Sequence, residues 1–213
     1  VNGKYIIGGG ISGLIYAYYN RDFTIISPDI GGKLSNSFME NIIYLHATDE
    51  TESFLRLVDV PYEKKTQLIK YMKDNEIVTV PTVEDKISFI RKKLNDPEYN
   101  PTDLNLSTSD YYISVFELDY SLLIGKLTEG LHYVNDKIIK ITDTELITER
   151  TRYKYSKLVS TVSAKIFWRL YSSPSSLKLR SEKITFVLCD KLPPQLVDES
   201  FDLCYIIDRD NEV

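Results

Sequence analysis

The sequence predicts an α/β fold, on three observations. An apolar strand, a glycine turn, a helix and a second apolar strand follow one another within the first 27 residues, in "GKYIIGGGISGLIYAYYNRDFTIIS". Late in the chain, three short strand-like runs, "DKIIKIT", "ELITE" and "TRYKY", are punctuated by "DT" and "RT". Between these two regions, alternating and helical apolar patterns are mixed.

Taken in order, "GKYIIG" reads as a strand apolar on both faces, "ISGLIYAYY" as a helix, and "DFTIIS" as a second buried strand ending at Ser27. A second glycine pair follows in "PDIGGKLS". "IIYLHA" is strand-like and "DETESFLRLV" helical. Asp49, Glu50 and Glu52 form an acidic first turn that the helix dipole favours, rather than a catalytic acid cluster. "TQLIKYMKDNEIVTVP" alternates around Asp74-Asn75 and reads as a hairpin. "TVEDKISFIRKKL" is the clearest helix. Thr82 can cap it with Asp85 three residues on, and Val83, Ile87, Ile90 and Leu94 share a face. "NDPEYNPTDLNLSTSD" is a loop, and "VFELDYSLLIGKL" reads as a helix; Tyr111, Tyr112, Phe116 and Tyr120 could wall a ligand pocket, but their spacing favours a helical core face. After the three short strands, "KLVSTV" is a further buried strand and "SAKIFWRLY" a helix; "KITFVLCD" and "FDLCYIID" read as strands of another sheet.

Composition bounds the function classes. Hydrophobic residues make up 43% and charged residues 27% of 213 residues, an ordinary globular balance. The formal charge of -5 is spread along the chain, with no basic stripe for nucleic acid. Two cysteines, Cys189 and Cys204, read as buried free thiols, and no metal-ligand cluster stands out. No apolar run reaches the roughly 18 residues a membrane span needs, and no signal peptide is evident, so a soluble cytoplasmic protein is expected.

Of nine glycines, four fall between residues 8 and 13. Gly8, Gly10 and Gly13 make G-x-G-x-x-G between a strand and a helix. The first allows the tight turn, the second lets a pyrophosphate approach the backbone, and the third lets helix and strand pack closely. The helix N-terminus, with Ser12 in its first turn, offers free amides and a partial positive charge to phosphates. A glycine-rich turn without a ligand is the alternative; the strand-turn-helix-strand context favours a dinucleotide site. The acidic residue that normally ends the second strand is displaced here. The strand ends at Ser27, and Asp29 lies two positions on, so either residue can serve the ribose.

"YIIGGGISGL" followed by "DIGGKLS" resembles the FAD-binding fingerprint of the amine oxidase, protoporphyrinogen oxidase and UDP-galactopyranose mutase superfamily. The match includes Gly31-Gly32-Lys33 directly after the second strand. The resemblance implies a Rossmann-like FAD domain that is completed late in the chain by a β-meander, with an inserted cap or substrate region of mixed α+β. It implies FAD held by Gly8, Gly10, Ile11, Ser12 and Gly13, by the Ser27–Asp29 turn, and along Gly31, Gly32, Lys33 and Leu34 toward the flavin. Ile138 matches the position whose backbone touches adenine, and Thr161 lies in "LVSTVSA", which is similar to the strand closing this part of the domain. "IIYLHATDETESFL" is similar to the mutases' segment in which a histidine precedes a short helix on the flavin side. His46 is accordingly either a flavin-side group or a structural histidine at a strand end. His132 reads as structural.

Domains are expected at residues 1–40 with 107–170 for FAD and 41–106 with 171–213 for the cap. Family members end in a glycine-acid motif that returns to the flavin. The chain ends at "YIIDRDNEV" without one, so a minimal version, a second polypeptide completing the fold, a homo-oligomer or a fragment are the expected alternatives.

The implied function is an FAD-dependent oxidoreductase acting through flavin N5 on a small molecule, with Lys33 and His46 as candidate catalytic residues. A lysine near the flavin can stabilise the charge of the reduced form or bridge to solvent. A non-catalytic FAD-binding subunit and an NAD(P)-binding fold are the alternatives, and Gly31-Gly32 with the meander speaks against the second.

Overall fold

The computed structural model describes residues 2–35, 45–73, 76–78, 82–93, 97–98, 112–171 and 203–206. The chain divides into two compact units: Val1–Glu63 with Glu117–Leu179, and Lys64–Phe116 with Arg180–Val213.

The first unit is built on a six-stranded sheet. Strand β1 (Gly3–Ile7) leads into helix α1 (Ile11–Tyr19) and strand β2 (Thr24–Ser27), as the apolar pattern predicts. A two-residue strand β3 (Leu45–His46) and helix α2 (Asp49–Leu57) follow. Helix α4 (Tyr120–Thr128), strand β7 (His132–Asn135), the meander β8 (Ile138–Ile141), β9 (Glu145–Thr148) and β10 (Arg152–Ser160), and helix α5 (Ala164–Tyr171) complete it. The strand order is β7-β2-β1-β10-β9-β8. β7, β2, β1 and β10 are parallel, and β9 and β8 continue antiparallel. Parallel strands in the order third-second-first-fourth are the Rossmann arrangement.

Packing follows from the pleat. Ile6 pairs with Ile25 and Ile7 with Ile26 in register, and successive residues face opposite sides of the sheet. Ile7 and Ile26 share a core with Ile138, Ile141 and Leu146, closed by Phe167, Leu170 and Tyr171 of α5. Burial of one such side chain is worth about 1.5–3 kcal/mol. α1 packs on β1, β2 and α4 and buries Leu14 and Ala17. α2 begins at Asp49, with the Thr48 hydroxyl accepting the Thr51 amide, so its acidic residues are a helix start, as read from the sequence.

The second unit holds β5 (Glu76–Val78), helix α3 (Val83–Lys93), β11 (Leu203–Ile206) and most of β4 (Tyr62–Lys73) and β6 (Tyr112–Leu118). β11 runs parallel to β4, and β5 pairs antiparallel to it with Lys73 opposite Glu76, so the expected hairpin forms. The Thr82 hydroxyl accepts the Asp85 amide at 3.1 Å while Asp85 accepts the Thr82 amide at 3.1 Å, a reciprocal cap on α3.

Three sequence expectations are corrected. The helix expected over "VFELDYSLLIGKL" is strand β6 followed by α4, because the Asp119 carboxylate accepts the Leu122 amide and starts the helix there. Tyr112 and Phe116 therefore lie on a strand, Tyr112 exposed and Phe116 buried, while Tyr120 opens α4. "TRYKY" and "KLVSTV" are one strand, β10. Its first residues pair antiparallel with β9 and its later ones parallel with β1, so a single strand serves both the meander and the parallel sheet. "HYVN" forms β7, a strand the sequence reading missed. Tyr111, Leu94, Cys189, the "KITFVLCD" strand and most of the 95–110 loop lie outside the described residues. Among the described residues, no helix is long and apolar enough to cross a membrane.

Candidate functional site

Two glycine turns meet at the carboxyl ends of β1 and β2. The first, Gly8 to Gly10, joins β1 to α1. The second, Gly31–Gly32, opens a single tight 3-10 turn, Gly32–Ser35. Gly31 donates its amide to the Gly9 carbonyl at 2.8 Å, and Gly10 and Gly31 form a parallel bridge. The turns are thus joined through their backbones, and the Ser35 hydroxyl closes the second onto the Gly32 carbonyl at 2.7 Å.

Glycine is required in this cluster for different reasons at different positions. Gly8 has φ +103°, Gly31 +88° and Gly32 +57°, conformations that L side chains rarely adopt. A Cβ on Gly13 would lie 2.0 Å from the Gly8 carbonyl oxygen, and one on Gly9 would lie 2.2 Å from the Asp29 carbonyl oxygen. Gly10 is different. Its φ of -72° and ψ of 176° suit any residue, and among the described residues no atom beyond its chain neighbours lies within 4 Å of where its Cβ would stand. Nothing among the described residues demands glycine there.

Gly10 is also the N-cap of α1. It brings no side-chain acceptor, and the first turn, with half-buried Ile11 and exposed Ser12, carries no acidic residue. The first amides of a helix have no acceptor within it, so this end presents donors and a partial positive charge. Thr161, just past β10, steadies the turn from the other side. Its hydroxyl reaches the Ile7 carbonyl at 2.9 Å and the Gly8 carbonyl at 3.2 Å, and it fills the space that Gly8 and Gly13 leave open.

The Ser27–Asp29 turn crosses over Gly9. Ser27 is buried, and its hydroxyl donates to the exposed Asp29 carboxylate at 3.4 Å. Tyr133 of β7 donates its hydroxyl to the Ser27 carbonyl at 2.9 Å. Burial, and then the charge of Asp29, push the Tyr133 phenol above its ordinary range, so it remains a donor.

The structure therefore gathers Gly8, Gly10, Gly13, Ser27, Asp29, Gly31, Gly32 and Thr161 into one cluster. Lys33 is exposed on the second turn and Leu34 is buried beneath it. Ile138 lies on the meander, in the core shared with Ile7 and Ile26. His46 is exposed at the end of β3, and its carbonyl accepts the Thr48 amide at the entry to α2. His132 begins β7, opposite Thr24. Sequence reading passed over Gly9 and Tyr133. The signal for Gly9 was present, since three consecutive glycines exceed what G-x-G needs; Tyr133 carried none.

No protein-family model matches the chain, and no curated protein does. Solved structures do match in fold. A protein assigned as a protoporphyrinogen oxidase from Exiguobacterium sp. 255-15 aligns over 79% of this chain with a TM-score of 0.52 and 13% identity. A putrescine oxidase variant with redesigned cofactor binding aligns over 79% with a TM-score of 0.50 and 13% identity. A CLA-producing fatty acid isomerase from P. acnes aligns over 81% with a TM-score of 0.50 and 14% identity. The chain spans 61%, 59% and 62% of those proteins respectively. With the strand order, the meander and the paired glycine turns, these matches show that the chain has a Rossmann-like α/β fold shared with those solved structures.

Proposed function

We propose that the chain binds FAD across its two glycine turns and acts as an FAD-dependent oxidoreductase on a small-molecule substrate. Gly10 carries the reading. The described residues give it no packing or conformational reason to be glycine, yet it caps a helix with no side-chain cap, and it is bridged to Gly31. A methyl group there would occupy the space in front of those amides, where a pyrophosphate must come close. The residues present therefore suit the dinucleotide.

In this reading, the amides of Ile11, Ser12 and Gly13 hold the pyrophosphate, and Asp29 accepts from a ribose hydroxyl. Gly31 and Gly32 guide the cofactor past Lys33. Lys33 balances negative charge on the reduced ring or leads to solvent, and His46 hydrogen-bonds the ring or the substrate. Bound FAD would supply hydride acceptance at N5, or nucleophilic attack from N5 when reduced.

Binding and turnover are separate propositions, because the chain spans about three fifths of the length of the structures it matches. The purified protein should show an oxidised-flavin absorbance spectrum, and Gly10→Val should lose it while remaining folded. A colourless wild type, or Gly10→Val with the full flavin content, defeats the binding reading. Under anaerobic conditions an accepted amine should reduce the oxidised flavin, or an accepted nucleotide sugar should change the spectrum of the photoreduced flavin, and His46→Ala should reduce that response. Identical behaviour with every substrate and in the variant leaves a non-catalytic FAD-binding subunit, or one needing a second polypeptide.

A further inference from the structure

We propose that Tyr133 is a positioning residue of the nucleotide site, which sets the direction of Asp29 toward the adenosine ribose through the Ser27 carbonyl. The inference rests on the FAD reading above.

Asp29 does not end β2, as a ribose-binding acid normally would. It stands two residues further on, on an exposed turn, where a carboxylate would ordinarily sample several directions. One side-chain contact restricts it directly, and that contact is itself braced. The Ser27 hydroxyl donates to its Oδ1 at 3.4 Å, a long bond that holds weakly by itself. Ser27 is in turn fixed by its carbonyl, which receives the Tyr133 hydroxyl at 2.9 Å and the Asp136 amide at 3.2 Å. Both donors come from β7 and the residue after it, so the strand beside β2 braces the turn.

The phenol does more than a backbone brace requires. Ser27 and Asn135 already pair in the parallel ladder, and the Asp136 amide supplies one donor to that carbonyl. Tyr133 adds a second donor from a side chain opposite Ile25, two residues back along β2. Burial first, and then the Asp29 charge, raise the Tyr133 phenol above its ordinary range, so it stays protonated and keeps donating to Ser27. A turn carrying a displaced acid needs such a brace; an acid at the strand end would be held by the ladder itself. Gly9 completes the arrangement, because only glycine lets the Asp29 backbone lie this close to the first turn.

The test compares FAD with its 2′-deoxyadenosine analogue by fluorescence titration of the full chain, using wild type, Tyr133→Phe, Asp29→Ala and the double variant. Tyr133→Phe removes one oxygen from a half-buried ring, and circular dichroism confirms its fold. It should weaken FAD binding roughly three- to ten-fold, the size of one hydrogen bond, and leave the analogue unchanged. Asp29→Ala should abolish the preference for FAD over the analogue, and Tyr133→Phe should add nothing in that background. A second variant, Tyr133→Leu, should show the same dependence on the 2′-hydroxyl. Equal losses with both ligands, no loss at all, or additive losses in the double variant overturn the inference while FAD binding stands. A wild type that binds no FAD overturns the flavin reading and this inference with it.

Discussion

A methyl group added at Gly13 should destabilise the protein, while the same methyl at Gly10 should not. Gly13 lies in the first turn of α1, where alanine gains about 1 kcal/mol of helix propensity over glycine. Against this, its Cβ would stand 2.0 Å from the Gly8 carbonyl oxygen and 3.0 Å from the Thr161 hydroxyl. A relaxed contact is roughly 3.5 Å, so α1 and β1 must part by about 1 Å or more. Overpacking of this kind costs about 1–3 kcal/mol, and the upper end applies because the obstacle is backbone rather than a movable side chain. The net loss is about 1–2 kcal/mol, a fall in thermal midpoint of roughly 2–8 °C for a chain of this size. Gly10→Ala meets no atom and needs no unusual φ, so its stability should stay within about 1 kcal/mol of wild type. Thermal denaturation followed by circular dichroism, without added FAD, measures both. Gly13→Ala melting at or above wild type, or Gly10→Ala melting as low as Gly13→Ala, would refute the division between a packing glycine and a ligand glycine.

Two further outcomes follow from the geometry. Thr82→Ala removes the hydroxyl that accepts the Asp85 amide, while the Asp85 carboxylate can still accept the backbone amide of residue 82, and should cost about 1 kcal/mol, seen as faster amide exchange in α3, with exchange in α1 unchanged. The Thr148 hydroxyl and the Lys137 amide hold the Asp136 carboxyl below its ordinary range, although burial pushes it upward. Its folded pKa is thus below the unfolded one, so its contribution is fully present above the unfolded value and is lost as pH falls through the folded value. The difference in thermal midpoint between wild type and Asp136→Asn should therefore be full at neutral pH and shrink below about pH 4. A difference that is constant across that range would contradict the assignment.

The parts legible in the sequence were those with strong local signals. β1, α1 and β2 follow from apolar runs broken by Gly8 to Gly10, and the Thr82–Asp85 cap announced α3 before any packing was known. The glycine cluster was legible because conformational demand falls on one residue type. The misreadings arose where tertiary pairing overrode local pattern. Val115, Phe116, Tyr120, Leu123 and Leu127 can all be fitted to one helical stripe, but the first two are strand residues and Asp119 separates them from α4. β10 looked like two strands because its neighbour changes from β9 to β1 along its length, a property of the sheet rather than of "RYKYSKLVS". β7 has four residues after Gly130 and a weak apolar pattern, so only its seat beside β2 makes it a strand. Tyr133 was invisible for the same reason, since its partner lies 106 residues away.

The placement of β10 beside β1 has a consequence for how the protein is made. Ile7 and Thr161 meet across 154 residues of sequence, and residues 64–116, of the other unit, are synthesised between them. On a ribosome, β1, α1 and β2 emerge before β10, so the turn between β1 and α1 lacks its Thr161 support until the chain has grown past β10. Until then β1 has an open edge, available to other nascent chains. Pairings between such distant segments are also slow to form, because the ends must be brought together before any contact rewards them. If the proposed FAD site is right, nascent chains stalled short of residue 161 should fail to retain FAD, whereas chains with residue 161 clear of the ribosome should acquire it.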